Sequence, residues 1–340
     1  MKIAVDAMGG DHAPREVILG AVQAAAEPDL SILLVGREEL LRDELRSLGN
    51  AGDRVEVVHA SEVVEMCEIP GVAIRKKKHS SIRVGLNLVA EGKVSSFVSA
   101  GNSGAVMTGA LYVLRKVKGI DRPAITATIP TPAGPIVLID AGANVGCKPA
   151  HLVQFGVMGD AYARKILGIP HPRVGLMSIG EEDSKGTDLT RETAGLFRRT
   201  GLHFVGNVEG RDFFVGKADV FVCDGFVGNV ALKTMEGMAS ALGAFLKEEI
   251  RKSALAKVGA LLAEGAIRRV KKRLDYTEYG GAPLLGVRGG VVICHGSSDA
   301  KAIKNAIRSA GSLHRCGVEE EIASSMARGG YDRYEKRVAE

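Results

Sequence analysis

Short apolar runs that stop abruptly at glycine, asparagine and aspartate recur from one end of this chain to the other. Ile3–Val5 leads into Asp6-Ala-Met-Gly-Gly-Asp11, and Phe97–Ser99 leads into Ala100-Gly-Asn-Ser-Gly104. Ile136–Ile139 precedes Asp140-Ala-Gly-Ala-Asn144, and Val220–Val222 precedes Cys223-Asp-Gly-Phe-Val-Gly-Asn229. Unbroken apolar runs of this length suit strands buried on both faces. Strands that end in glycine turns before helices line up ligand loops along the edge of an open α/β sheet. Backbone N–H groups at such turns and helix starts bind anions without a dedicated cation. The chain therefore reads as an enzyme acting on a phosphate or an acyl oxyanion.

The order of elements supports alternating strand and helix. A strand at Ile3–Val5 is followed by a helix from about Pro14, with proline in the first turn. Ser31–Val35 and Val55–His59 read as further strands around an amphipathic helix at Glu38–Leu48. Ile82–Glu91 is predicted helical before the Phe97–Ser99 strand. Ala124–Ile129 and Ile136–Ile139, separated by a proline- and glycine-rich turn, predict a hairpin and hence a mixed sheet. A long helix is expected at His151–Leu167, strands at Val174–Ile179, Val220–Val222 and Val291–Cys294, and helices at Leu232–Lys247 and Ser298–Gly311. The expected fold is a three-layer α/β/α unit spanning residues 1–340, with a mixed, mostly parallel, Rossmann-like sheet. Residues 245–274 form an amphipathic helical excursion from it.

Composition narrows the class. With 340 residues and 46% hydrophobic content the chain can bury a large core. Its five cysteines show no CxxC and no metal-type Cys/His spacing, which favours reduced thiols in a cytosol over a disulfide framework and gives no metal site. No cofactor is expected. Cys223 and Cys294 end apolar runs and read as core thiols. The chain begins in a strand and holds no apolar stretch of about 20 residues, so neither a signal peptide nor a membrane span is expected. Charge is uneven. Between Lys247 and Arg273 nine Lys/Arg face three Glu, a net of +6, while the whole chain carries +5. Basic character this local marks a partner surface, not a nucleic-acid-binding protein.

Seven segments stand in one order: Asp6-Ala-Met-Gly-Gly-Asp-His-Ala-Pro14, Ser99-Ala-Gly-Asn-Ser-Gly-Ala105, Ile139-Asp-Ala-Gly-Ala-Asn144, Gly180-Glu-Glu-Asp-Ser-Lys-Gly186, Gly206-Asn-Val-Glu-Gly-Arg211, Asp224-Gly-Phe-Val-Gly-Asn229 and Gly280-Gly-Ala-Pro-Leu-Leu-Gly286. Together they resemble the bacterial phosphate acyltransferases of phospholipid synthesis, from Met1 to about Ser309. The resemblance implies an isocitrate/isopropylmalate dehydrogenase-like fold and a homodimer. It also implies transfer of a fatty acyl group from acyl carrier protein to inorganic phosphate, without a covalent enzyme intermediate. A thioester is already activated, and its thiolate, with an ordinary pKa near ~8.5, leaves readily. The protein must then position a dianion and stabilise an oxyanion.

By the same resemblance Lys185 and Asn229 are the catalytic candidates. Lys185 would be a point cation for phosphate or oxyanion, against a solvated lysine beside Glu181, Glu182 and Asp183. Asn229 would donate to the carbonyl oxygen, against a plain helix N-cap. Asn102, Ser103 and Gly104 form an expected phosphate nest or an ordinary cap. Asp140 and Asn144 would orient the lysine or shape a turn, and Gly225, Gly228 and Gly281 complete the substrate-binding set. All these loops are expected to converge on one pocket. Asp6 to Asp11 shape its mouth or simply turn the chain, His12 and His295 read as structural, and Arg75–Lys78 is a basic run of either solvated or binding character.

The segment 245–274 reads as two amphipathic arms joined near Gly259–Gly265. Its apolar tip, Leu255, Val258, Leu261 and Leu262, beside basic residues suits an anionic membrane surface. Arg268, Arg269, Lys271, Lys272 and Arg273 suit acidic acyl carrier protein. Location at the inner face of the cell membrane, near a membrane glycerol-3-phosphate acyltransferase, follows from the resemblance. Three rivals remain: a phosphate acetyltransferase using acetyl-CoA, a nicotinamide-dependent decarboxylating dehydrogenase, and a non-catalytic membrane or carrier-protein adaptor. The chain opens with no G-x-G-x-x-G and contains no Walker motif, which weighs against nucleotide use.

Overall fold

In a computed structural model of the protein, residues 1–49, 53–274 and 280–329 are described, the side chains of 271–274 excepted. The N-terminal half runs β1 (Lys2–Asp6), α1 (Arg15–Ala25), β2 (Ser31–Gly36), α2 (Glu38–Ser47), β3 (Val55–His59), α3 (Pro70–Lys76), α4 (Ser81–Ala90), β4 (Ser96–Ser99) and α5 (Ser103–Val113). The hairpin β5 (Ala124–Ile129) and β6 (Ile136–Ile139) follows, as the sequence predicts. After it come α6 (Pro149–Lys165), β7 (Arg173–Met177), α7 (Asp188–Phe197), β8 (His203–Val208), β9 (Val220–Val222) and the 28-residue α8 (Gly225–Lys252). The chain continues through α9 (Ala254–Leu262), α10 (Glu264–Leu274), β10 (Ala282–Leu285), β11 (Gly290–Ile293), α11 (Ala300–Arg315) and α12 (Val318–Gly329).

One sheet of eleven strands holds the order β3-β2-β1-β4-β11-β10-β5-β6-β9-β7-β8. Seven neighbour pairs are parallel and three, all at the centre, are antiparallel. The sheet is therefore mixed and mostly parallel. Its faces are both covered, which is visible in the alternation along each strand. Ile3 and Val5 join one core with Ile18 and Ile303, while Ala4 between them joins another with Ile74 and Leu86. In the second half Val137 and Ile139 pack beneath α6, and Leu138 faces a third core with Phe213 and Phe221. Helix, sheet, helix is the resulting layering.

The central antiparallel pairs have a consequence for function. They reverse direction between β3-β2-β1-β4-β11 and β6-β9-β7-β8, so the two parallel blocks present their carboxyl ends on opposite edges of the sheet.

The excursion differs from the two arms expected. The first arm is α8, whose buried residues are Gly225 and Gly228. It stops at Ser253, whose hydroxyl caps α9 by accepting from the Ala256 N–H at 3.3 Å. The tip is thus a helix in its own right, because a serine in extended backbone both ends one helix and starts the next.

Candidate active site

Register aligns four strand ends. Val222 of β9 lies between Ile139 of β6 and Leu176 of β7, and Leu176 lies beside Asn207 of β8. The loops that begin at Asp140, Cys223 and Ser178 accordingly leave the sheet side by side on one edge.

Asp140 organises this edge. Its fully buried carboxylate accepts from the N–H groups of Ile125 (3.1 Å), Gly142 (3.1 Å), Ala143 (2.9 Å) and Asn144 (2.7 Å), and from the Asn144 side-chain amide at 2.8 Å. Burial holds its pKa above the ordinary carboxylate value, although the N–H donors and the Asn144 side chain oppose the shift. Asn144 also donates to the Pro123 carbonyl at 2.7 Å, and its own carbonyl accepts from the Gly225 N–H at 2.8 Å. Asp140 and Asn144 therefore shape the loop that receives the start of α8. None of Asp140's hydrogen bonds reaches Lys185.

Asn229 sits one turn inside α8 and is exposed. The cap of this helix is Asp224, whose carboxylate accepts from the Phe226 and Val227 N–H groups at 2.9 and 3.1 Å. That excludes the capping alternative for Asn229. The same bonds, with Gly225 N–H on the Asn144 carbonyl, occupy the first three backbone donors of α8. The Asn229 side-chain amide is consequently the donor that this helix start can offer a ligand. It lies over the Asp140 loop, since a methyl group built on Gly142 would stand 3.6 Å from its oxygen.

Lys185 projects from the loop between β7 and α7, two residues before Thr187, which caps α7. Two of its acidic neighbours are engaged elsewhere, Glu181 with Lys217 at 2.9 Å and Asp183 with Arg198, while a methyl group on Gly180 would meet both the Glu182 carboxylate and the lysine stem, at 3.0 and 2.9 Å. Among the described residues no carboxylate pairs with Lys185, and α7 begins three residues after it. Lys185, in the loop after β7, and Asn229, in the first turns of α8 after β9, thus follow neighbouring strands on the same edge.

The remaining candidates lie elsewhere. Asn102 caps α5, accepting from the Ala105 N–H at 3.0 Å and donating to the carbonyls of Glu65, Met66 and Glu68 at 3.0–3.3 Å. It is buried and committed to holding the 65–68 loop. Exposed Ser103 follows it, and Gly104 packs on Pro70, where a methyl group would meet the ring at 2.6 Å. Gly281 is pressed against β11, with Val292 2.8 Å from any Cβ it carried. These four sit at the carboxyl ends of β4 and β11, on the other edge from Asp140. Beta11, β10 and β5 intervene between β4 and β6, about 19 Å at the usual strand spacing. The single pocket expected from the sequence is corrected here, and its cause is the reversal of strand direction at the sheet centre. Asp6 and Gly9 belong to this second edge, where the Asp6 carboxylate accepts from the Ser99 hydroxyl at 2.7 Å. In the basic run Lys77 is tied to Glu68 and to the Val63 carbonyl. His295 contacts Ser297 at 2.7 Å.

On the excursion Leu255, Val258, Leu261 and Leu262 are all exposed, the first and last by 81% and 85%. Arg268 pairs with Glu264 at 2.6 Å, and Arg269 is exposed. The side chains of Lys271, Lys272 and Arg273 lie outside the described residues. A cavity of about 720 Å³ at the amino-terminal ends of β1 and β4 is lined by none of the candidate residues.

Two thiols border the Asp140 edge. Cys223 Sγ donates to the Asp140 carbonyl at 3.7 Å, and Cys147 Sγ to that of Asn144 at 3.7 Å. Burial, with Asp140 and Asp224 nearby, pushes Cys147 up to about 11 and Cys223 well above its ordinary 9.0. Neither is a thiolate at neutral pH, so neither is poised as a nucleophile. Among the described residues no group of three His, Cys, Asp or Glu is placed to hold a metal ion.

Two residues of this edge carried no assignment from the sequence. Asp224 was hidden by the more prominent Asn229, although Asp before a helical run is a cap signal. Asn207 sits in the Gly206–Arg211 segment, and only the register reveals that it lies beside the Lys185 loop.

The pattern of the "Fatty acid synthesis protein" family matches residues 1–321. The phosphate acyltransferase of Pelotomaculum thermopropionicum is 58% identical over 96% of this chain and 95% of its own length. The chain belongs to the phosphate acyltransferase family. Its relative in Geotalea uraniireducens, of the same name, is 53% identical over 96% of this chain and 94% of its own. Phosphate acyltransferases are acyltransferase enzymes, and fatty acid and phospholipid synthesis is the setting of the family. Among solved structures, a phosphotransacetylase from Streptococcus pyogenes superimposes with a TM-score of 0.62 at 20% identity, covering 92% of this chain and 94% of that one. EutD phosphotransacetylase from Staphylococcus aureus gives 0.62 at 18%, with the same coverage. At these identities the likeness establishes a shared three-layer fold for this phosphate acyltransferase.

Proposed function

We propose that this chain transfers a fatty acyl group from acylated acyl carrier protein to inorganic phosphate, on the edge formed by β6, β9 and β7. A phosphate oxygen attacks the thioester carbon, the carbonyl becomes a tetrahedral oxyanion, and the C–S bond then breaks with its electron pair on sulfur. The product is acyl phosphate, and the carrier thiolate takes up a proton. Lys185 neutralises phosphate at the positive end of α7, and the Asn229 amide donates to the oxyanion. The observation that supports this reading is an unpaired lysine in the loop after β7 and a free amide in the first turns of α8 after β9, two neighbouring strands with level ends. The raised thiols of Cys147 and Cys223 support direct attack without an acyl-enzyme.

The other contacts follow the same reading. Arg268 and Arg269, with Lys271, Lys272 and Arg273, attract the acidic carrier protein. The exposed stripe Val230, Met238, Leu242, Phe245 and Leu246 of α8 supports a homodimer, since an isolated helix with so little buried surface lacks a partner. The tip meets the inner face of the membrane, where a glycerol-3-phosphate acyltransferase takes up acyl phosphate; the exposure of Leu255, Val258, Leu261 and Leu262 supports this. Among the described residues no helix is long and apolar enough to cross a membrane.

The test is purified protein with a long-chain acyl-carrier-protein thioester and radiolabelled phosphate. Labelled acyl phosphate is the expected product, and a blank from folded protein refutes the reading. A series of acyl chain lengths separates it from acetyl transfer, the activity named by the structurally similar phosphotransacetylases.

A further inference from the structure

Asn207 is 3% exposed, near the end of β8. Its Nδ2 donates to the Glu182 carbonyl at 3.0 Å. The same carbonyl accepts from the backbone N–H of Lys185, also at 3.0 Å. One carbonyl therefore links a buried amide to the backbone of the lysine. The stem of Lys185 folds back on Gly180, whose Cβ, if present, would stand 2.9 Å from the lysine Cγ. At the far end Gly186, with φ of +96°, presses on the hydroxyls of Ser178 and Thr190, which a methyl group there would approach to 2.7 and 2.2 Å. The loop is thus seated at three points, and Asn207 supplies the one nearest its middle.

Two of the four buried polar atoms without a partner among the described residues border this loop: Asn207 Oδ1 and Ser178 Oγ. An unmet buried acceptor is unfavourable, so a position serving packing alone would suit an apolar side chain better. The amide is used for its donor.

We propose that Asn207 is the positioning residue for Lys185, fixing through the Glu182 carbonyl where the ammonium stands over the strand ends. The proposal rests on the reading of Lys185 given above. Displacing a reacting group by about 1 Å costs up to ~100-fold in rate, so the anchor has leverage well beyond one hydrogen bond.

Four variants test it: Asn207→Ala, Asn207→Asp, Lys185→Met and the double variant Asn207→Ala/Lys185→Met. Asn207→Asp keeps the volume and, ionised, sets an acceptor in place of the donor against the Glu182 carbonyl. Both Asn207 variants are expected to lower kcat by about 10- to 100-fold with the KM for acyl thioester unchanged. In the Lys185→Met background Asn207→Ala is expected to cost nothing further. An equal loss in both backgrounds, or an Asn207→Asp enzyme with full activity, overturns the proposal. Amide hydrogen exchange at Lys185 supplies a readout independent of turnover: faster exchange is expected in Asn207→Ala, and unchanged exchange overturns the anchor. If Lys185→Met turns over normally, the catalytic reading fails by itself, and exchange still decides whether Asn207 holds the loop.

Discussion

Gly228 stands so close to Asp140 that a methyl group on its α-carbon would lie 1.9 Å from the Asp140 carbonyl oxygen. That contact brings the first turn of α8 onto the loop after β6, and with it Asn229 over Gly142. No flexible side chain is available to yield, because the obstructing atom is backbone in a fully buried residue.

Gly228→Ala should therefore destabilise the fold by about 3 kcal/mol and displace Asn229, lowering thermal midpoint and turnover together. A variant with wild-type midpoint in calorimetry would show that α8 can shift without cost.

Lys185→Met and Asn229→Ala should behave differently, because both residues are exposed and neither supports the core. Each is expected to lower kcat by ~100- to 1,000-fold while leaving the thermal midpoint in place. Steady-state rates of acyl phosphate formation, beside a melting curve, check both halves of this expectation.

Acid stability should depend on Glu321. Its carboxylate accepts from Arg164 at 2.9 Å and lies 3.0 Å from Arg328 and 3.5 Å from Lys165. The Arg164 hydrogen bond, followed by the Arg164 and Lys165 charges, holds its pKa at about 2 against an ordinary 4.5. A lowered folded value means that the stabilisation is fully present above pH 4.5 and is lost as pH falls towards 2. Glu321→Gln should remove about 1–2 kcal/mol at neutral pH and flatten the acid limb of a stability–pH curve in that window. An unchanged limb would mean that the α6–α12 ion cluster contributes nothing.

For the tip, Leu255→Gln with Leu262→Gln should weaken partition into anionic vesicles by at least ~10-fold, given two apolar side chains withdrawn from the interface. Turnover of a soluble thioester should be preserved. Vesicle sedimentation in parallel with the rate assay distinguishes the two, and unaltered sedimentation would remove the membrane role.

Much of the fold was legible because buried parallel strands announce themselves as unbroken apolar runs, as at Ile3–Val5, Ile136–Ile139 and Val220–Val222. Strand β8, His203–Val208, escaped notice because polar Asn207 and Gly206 interrupt its pattern, and β10 because Pro283 and three adjoining glycines disguise four residues of strand. The candidate residues were equally visible as types, yet their grouping was not.

What the sequence by itself determined is the chemistry available: glycine turns after buried strands, a lysine and an amide in two of them, and thiols without metal-binding spacing. Only the tertiary structure decided which of these meet. Beta10, drawn in from far along the chain, pairs antiparallel with both β11 and β5, and the β5–β6 hairpin turns the second block around. Asn102 and Gly281 are thereby carried to one edge, and Lys185, Asn229 and Asn207 to the other. Strand direction is set by pairing between distant segments, and no local pattern of residues encodes it.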